Sequence, residues 1–159
     1  MATLASMHAV RQIGVRVAAV DDLDNVRAAY RAWDYRGSIG PNDKVFVAEG
    51  DGELLGIVRL AQEGETYVLR GMQVSPSSQR QGIGTALLHE LMKRLGGAEC
   101  YCVPYTHLDG FYARVGFREC LSESAPRFLA DRLSQYRESG LKVILMRRPE
   151  VAEGRGNAG

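Results

Sequence analysis

Glycines 82 and 84 follow a polar run, Ser75 to Gln81, and lead straight into a periodic apolar stretch. That combination suits an anion. The segment from Met72 to Leu95 reads MQVSPSSQRQGIGTALLHELMKRL: an apolar strand closed by Pro76, a polar loop, then a helix. The first N–H groups of such a helix have no intrahelical partner, point outward, and sit at the positive end of the helix dipole. Glycine there lets a phosphate approach the backbone without a Cβ in the way. A phosphorylated ligand is the expected occupant. Two familiar phosphate loops do not fit. A dinucleotide loop needs a third glycine where this chain has Leu87. A Walker loop needs Gly-Lys-Ser/Thr, and Gly84 is followed by Thr85 and Ala86.

Alternation and periodicity give the elements that must position this loop. Ile13 to Val20 alternates as a first strand, with Val15, Val17 and Ala19 on one face. Asp21, Asp22 and Asp24 suit a helix start, after which Leu23, Val26, Ala29, Tyr30 and Trp33 share a face. Asp34 to Asp43, broken by Gly37, Gly40 and Pro41, is a loop or a short second helix. Strands over Lys44–Glu49, Glu53–Ala61 and Thr66–Val74, with turns at Gly50-Asp51-Gly52 and Glu63-Gly64-Glu65, form an antiparallel meander feeding the glycine loop. Gly71, inside the last of them, marks a bulge or a close backbone approach.

Ile83, Leu87, Leu91 and Leu95 then recur at four-residue spacing, leaving His89 on the solvent side of a helix that Gly96-Gly97 ends. A fifth strand spans Glu99–Val103. Asp109 caps a short helix, Phe111 to Val115, and a sixth strand starts at Phe117. An insertion, Ser122 to Ser139, holds an amphipathic helix with Phe128, Leu129, Leu133 and Tyr136 on one side, and Leu141 to Met146 is the last strand.

Composition narrows the class. The chain has 159 residues, 45% hydrophobic and 25% charged, which fits one soluble globular domain. Residues 1–12 read as a flexible leader, 13–149 as the single domain and 150–159 as a disordered tail. Twenty basic against nineteen acidic residues give no reason to expect a nucleic-acid partner. No run approaches the roughly 18–20 apolar residues of a membrane span, and no signal peptide is evident. Cys100, Cys102 and Cys120 lack metal spacing and read as reduced thiols of a cytoplasmic protein.

Gln79-Arg80-Gln81-Gly82-Ile83-Gly84, preceded by Val74-Ser75-Pro76, resembles the acetyl-CoA pyrophosphate loop of the GNAT-type N-acetyltransferase superfamily. Phe111-Tyr112-Ala113-Arg114-Val115-Gly116-Phe117 resembles the same family's FYxxxGF signature, and the element order agrees. The resemblance covers about Ile13 to Arg148. It implies an α+β fold whose mostly antiparallel sheet, six- or seven-stranded, is splayed between strands 4 and 5 and flanked by four or five helices.

It also implies roles. Backbone groups of Met72, Gln73 and Val74 would bind the pantetheine arm and the acetyl carbonyl. Amides of Gln79, Arg80, Gln81, Gly82, Ile83, Gly84 and Thr85 would hold the pyrophosphate, with the Arg80 side chain adding charge. Tyr112 matches the general acid that protonates the departing thiolate, or else packs with its hydroxyl on CoA. The implied reaction is acetyl transfer from acetyl-CoA to a primary amine of a small metabolite or amino-acid-like acceptor by direct attack, without a metal. Alternatives are a protein or peptide acceptor, a longer acyl group, or a non-catalytic acyl-CoA-binding sensor. A monomer or homodimer is expected.

The chain departs from the family at one point. Many members carry a glutamate on the fourth strand where this one has Arg70-Gly71. A water chain to Glu65 or His107, or an acceptor of low pKa, would replace that base. Arg70 would then grip an anionic acceptor group or serve an ion pair. The resemblance builds the acceptor site from Trp33, Asp34, Tyr35, Arg36, the Pro104–His107 loop and the insertion.

Overall fold

In the computed structural model, which describes residues 12–152, turn chemistry sets the topology. Asp51 and Gly52 both have positive φ, +53° and +77°, the backbone that a tight two-residue hairpin requires. They join β2 (Lys44–Gly50) to β3 (Glu53–Glu63). Gly64, with φ +66°, opens the next hairpin into β4 (Thr66–Val74). β1 (Gly14–Val17) pairs antiparallel with β2, completing the meander. The remaining elements are α1 (Leu23–Ala32), α2 (Ile83–Leu95), β5 (Cys100–Cys102), α3 (Asp109–Ala113), β6 (Arg118–Glu119), α4 (Arg127–Glu138) and β7 (Met146–Arg148).

The seven strands form one sheet in the order β1-β2-β3-β4-β5-β7-β6. Only the β4–β5 pair is parallel, and it holds at just two positions, Val68↔Tyr101 and Leu69↔Cys102. Past Leu69, β4 keeps β3 as its partner and parts from β5. This is the expected splay, in the expected mixed α+β fold.

Strand alternation sorts the side chains into layers. Phe46, Ala48, Val58, Leu60, Leu69, Cys100 and Cys102 face Ile83, Leu87, Leu88, Leu91 and Leu95 of α2 and Tyr112 of α3. On the other face Val45, Val47 and Ile57 meet Val26 and Tyr30 of α1, while Ala61, Val68 and Tyr101 meet Leu129 and Leu133 of α4. Each fully buried leucine of α2 contributes about 1.5–3 kcal/mol. α2 lies so close to the sheet that a Cβ at Gly56 would stand 2.8 Å from the Ile83 side chain.

Several boundaries differ from the sequence reading. Residues 34–43 form a loop, with no second helix. β1 ends at Val17, β3 runs on to Glu63, and β6 is only Arg118–Glu119. Asp109 is the first residue of α3 rather than its cap, and its carboxylate accepts the Gly110 N–H at 2.7 Å. The last strand moves from 141–146 to Met146–Arg148. Ahead of it, Val143 bridges Tyr105 and the Ile144 N–H donates to the Pro104 carbonyl. Pro104 has no N–H to return, so the ladder is interrupted there. The expected leader and tail lie outside the described residues except for Gln12 and 150–152, where the Val151 N–H bonds the Gly97 carbonyl at 2.7 Å.

Candidate functional site

β4 carries the bulge that Gly71 announces. Arg70 pairs with Arg59 and Gln73 with Ile57, so Gly71 and Met72 together oppose Val58. Gly71 has φ +64°. A Cβ on it would collide with the Tyr30 Oη and stand 2.9 Å from the Arg59 Nε, so only glycine fits. The Tyr30 hydroxyl donates to the Gly71 carbonyl at 2.8 Å and pins the bulge. The extra residue resets the alternation: Met72 and Val74 join Leu69 on the α2 side. The Ser75 N–H donates to the Leu55 carbonyl at 2.8 Å. Strand alternation therefore turns the N–H of Val74 to the other edge, where β4 has left β5.

The glycine loop begins with a 3-10 turn at Pro76–Ser78. Arg80 then takes φ +66° and Gly82 φ +81°. A left-handed arginine costs on the order of 1–3 kcal/mol, strain typical of ligand clamps. In α2 the Ala86 N–H is bonded to the Gly82 carbonyl at 3.0 Å, which leaves the N–H groups of Ile83, Gly84 and Thr85 ahead of the first helical bond. No side chain caps them, and the first turn holds no acidic residue. At the strand end beside this loop, the buried Ser75 Oγ has no hydrogen-bond partner among the described residues.

The two glycines do different work. A Cβ on Gly82 would meet nothing within 4 Å, whereas one on Gly84 would lie 3.4 Å from the Phe111 ring and 3.8 Å from Val74. A Cβ on Gly84 would thus sit in ordinary van der Waals contact, which shows that α3 packs directly onto this position, a neighbour the sequence did not disclose. The contact brings the glycine loop, the end of β4 and the FYxxxGF segment together.

Tyr112 is 3% exposed and packs edge-on against Phe111 and Phe117. Burial, with Cys102 nearby, raises its pKa, so the phenol stays protonated. Among the described residues its hydroxyl makes no hydrogen bond. Cys100 and Cys102 are buried free thiols, and burial pushes Cys100 up to about 12. Neither is a nucleophile at neutral pH. No cluster of three His, Cys, Asp or Glu suited to a metal occurs among the described residues. No helix among them is long and apolar enough to cross a membrane.

On the opposite face of the sheet lies a network the sequence reading missed. Arg59, 1% exposed in the middle of β3, pairs with Asp43 at 2.6 Å. It also donates to the Ser38 carbonyl at 2.7 Å, the Tyr35 hydroxyl at 2.6 Å and the Tyr30 hydroxyl at 3.3 Å. The 34–43 loop is thus tied through Arg59 and Tyr30 to the bulge. Two cavities flank it. One, of about 480 Å³, is lined by Asp34, Tyr35 and Arg36 with Tyr30 and Arg31. The other, of about 230 Å³, is lined by Asp43, Arg59, Glu63 and Arg70. Trp33 lines neither and packs against the α1 core.

A model of the GNAT acetyltransferase domain matches residues 41–119, from the loop before β2 through β6. The chain belongs to the GNAT superfamily. Solved structures of similar fold include the ribosomal-protein-S18-alanine N-acetyltransferase of Escherichia coli, with 19% identity, TM-score 0.68, and coverage of 91% of this chain and 97% of that one. N-acetylglutamate synthase of Neisseria gonorrhoeae, complexed with coenzyme A and N-acetyl-glutamate, has 20% identity and TM-score 0.67. That match covers 89% of this chain, which spans 36% of the synthase's length. PaiA N-acetyltransferase of Thermoplasma acidophilum, in complex with coenzyme A, has 17% identity, TM-score 0.58, and coverage of 88% and 99%. These likenesses are of fold. No curated protein matches the sequence.

Within this GNAT domain, the residues assigned by resemblance to the donor gather at one end of the splay. The sequence assigns no base, and the two groups it offers as candidates do not join them. Glu65 and His107 are exposed, and His107 stacks on Tyr105. Two carboxylates line the second cavity: Asp43, which is committed to Arg59, and Glu63. Burial works to raise the Glu63 pKa, but Arg132 and Arg70 hold it below the ordinary glutamate value. It stays ionised and is a poor proton acceptor.

Proposed function

We propose that this GNAT domain transfers the acetyl group of acetyl-CoA to a primary amine of a small, amino-acid-like acceptor by direct attack. The meeting of Gly84, Phe111 and Val74 carries this reading, because the uncapped start of α2, the end of β4 and the helix that bears Tyr112 come together there. Acetyl-CoA supplies the thioester. The free amides of Ile83, Gly84 and Thr85, with the Gly82 surface, suit its pyrophosphate, and the unpartnered Ser75 Oγ at the end of β4 is available to a polar group of the same ligand.

At the reacting end, the Val74 amide faces the oxygen that gains negative charge as the amine nitrogen bonds to the carbonyl carbon, and stabilises it. The carbon–sulfur bond then breaks. Tyr112 donates its proton toward the sulfur, and the surplus proton of the acceptor nitrogen restores the phenol. A buried phenol is a weaker acid than a thiol, whose ordinary pKa is about 8.5, so Tyr112 does not remain ionised. Most alkyl amines are protonated at neutral pH. With Glu63 unsuited to take that proton, the rate follows the fraction of free amine.

Thiol release from acetyl-CoA, measured against a panel of amino acids, amines, aminoglycosides and lysine peptides, tests the reading. Turnover is expected with small amino-acid-like amines; a protein that binds acetyl-CoA and acetylates none of the panel would be read as a sensor instead. Tyr112→Phe should lower kcat by roughly a hundredfold while KM for acetyl-CoA stays within about twofold. Because burial raises the phenol's pKa, the wild-type rate should show no alkaline fall up to about pH 10. An unchanged kcat in Tyr112→Phe would reduce the residue to packing.

A further inference from the structure

We propose that Arg70 holds a carboxylate on the acceptor, so that the substrate class is the small anionic amino acids rather than neutral or cationic amines. This rests on the acetyl-transfer reading above. Arg70 and Arg59 are direct cross-strand partners on one face of the sheet, a placement that is unfavourable for like charges unless each is compensated. Arg59 is compensated in full by Asp43, Ser38, Tyr30 and Tyr35. Arg70 is not.

The carboxylate nearest Arg70 is Glu63, and Glu63 is already engaged by Arg132 through two bonds of 2.6 and 3.0 Å. Arg70 stands 3.6 Å from the same group, beyond hydrogen-bond distance, and reaches the Tyr136 hydroxyl only at 3.4 Å. Its side chain is 28% exposed. A guanidinium has five donors in a planar fork made for a carboxylate. Among the described residues most of them are unused, in a group whose side chain is mostly covered.

The cavity lining sets Arg59 and Arg70 against Asp43 and Glu63, and Arg132, which reaches Glu63 from α4 outside the lining, draws on the carboxylate that Arg70 would otherwise have to itself. Arg70 lines the cavity of about 230 Å³, a volume suited to one end of a small molecule. It precedes the Gly71–Met72 bulge directly, and at ~3.3 Å per residue it lies about 7 Å along β4 from Met72. That spacing suits an acceptor whose nitrogen sits at the splay while its acid end reaches back into the cavity. Arg132 keeps Glu63 from closing on Arg70, which makes Arg132 a positioning residue.

The experiment compares acceptors that differ only in the acid: amino acids against their carboxamides, with diamines as a cationic arm. The rates are measured by thiol release and corrected to the free-amine fraction. The acid is expected to exceed its amide in kcat/KM by roughly ten- to hundredfold, carried by KM. Arg70→Gln should erase that preference, and Arg70→Lys should restore part of it. Amides or diamines turning over as well as acids would overturn the inference and leave acetyl transfer standing. So would an Arg70→Gln protein that keeps the full preference for the acid. Failure to turn over any of these acceptors would overturn acetyl transfer, and this inference with it. Thermal midpoints and acetyl-CoA affinities of the two variants separate lost recognition from lost folding.

Discussion

Asp43→Ala is expected to destabilise the domain by about 3–5 kcal/mol, the cost of leaving a buried arginine without its counter-ion. The side chains of Arg59 and Asp43 are 1% and 6% exposed and 2.6 Å apart. The same carboxylate also receives the Gly40 N–H at 2.8 Å. Removing it strands a charge in the interior and frees the loop that the charge organises. In urea or thermal unfolding the midpoint should fall by roughly 6–20 °C. Asp131→Ala, which breaks the exposed Arg127–Asp131 pair, serves as the contrast and should scarcely move it. The double variant Arg59→Met/Asp43→Ala should recover part of the loss, since both charges are then gone. Equal effects of Asp43→Ala and Asp131→Ala would mean that the Arg59 pair is solvated in solution.

Gly82→Asp is expected to abolish acetyl-CoA binding while leaving the fold in place, with an affinity loss of about a thousandfold by calorimetry. Gly82 has φ +81° and open space where a Cβ would go. Aspartate tolerates the left-handed backbone better than most residues, and its carboxylate can accept the very amides of α2 that have no cap. It therefore competes with the pyrophosphate for those donors and repels it. Two unit charges about 4 Å apart in a surface site repel by about 4 kcal/mol, which corresponds to the expected loss. Gly82→Asn occupies the same space without the charge and should bind more tightly than the aspartate variant. An aspartate variant that binds acetyl-CoA as well as wild type would remove the loop from the site.

The sequence shows some of this architecture directly and hides the rest for physical reasons. Local signals carried far: the two hairpin turns, the glycine inside β4, and the stripe of Ile83, Leu87, Leu91 and Leu95 each encode their own geometry. The Arg59–Asp43 pair was invisible because a buried charge announces itself only as a polar residue in an apolar strand, and its partner lies 16 residues back in a loop. Arg59 between Val58 and Leu60 was the available signal. Glu63 and Arg132 are 69 residues apart, so no local pattern links them. Periodicity placed Arg132 away from the apolar side of α4, yet its guanidinium also lies over Phe128 at 5.4 Å. β7 was misplaced because the apolar run 141–146 outweighed two arginines whose long stems make acceptable strand residues. The packing at Gly84 depends on an aromatic ring from α3, which the loop itself does not contain.

The sheet order has a consequence for how the domain comes into being. β1 to β4 pair with sequence neighbours and can zip up as the chain emerges from the ribosome, but β6 has a single partner, β7. β7, the last of the seven strands to be synthesised, also completes β5 on its far side. Until it arrives, the two short strands near Tyr112 and Phe117, β5 and β6, are not joined to each other and that half of the sheet cannot hold itself together. The nascent protein thus acquires its glycine-loop half first and its tyrosine half last, and the two meet in their final form only once translation has passed β7.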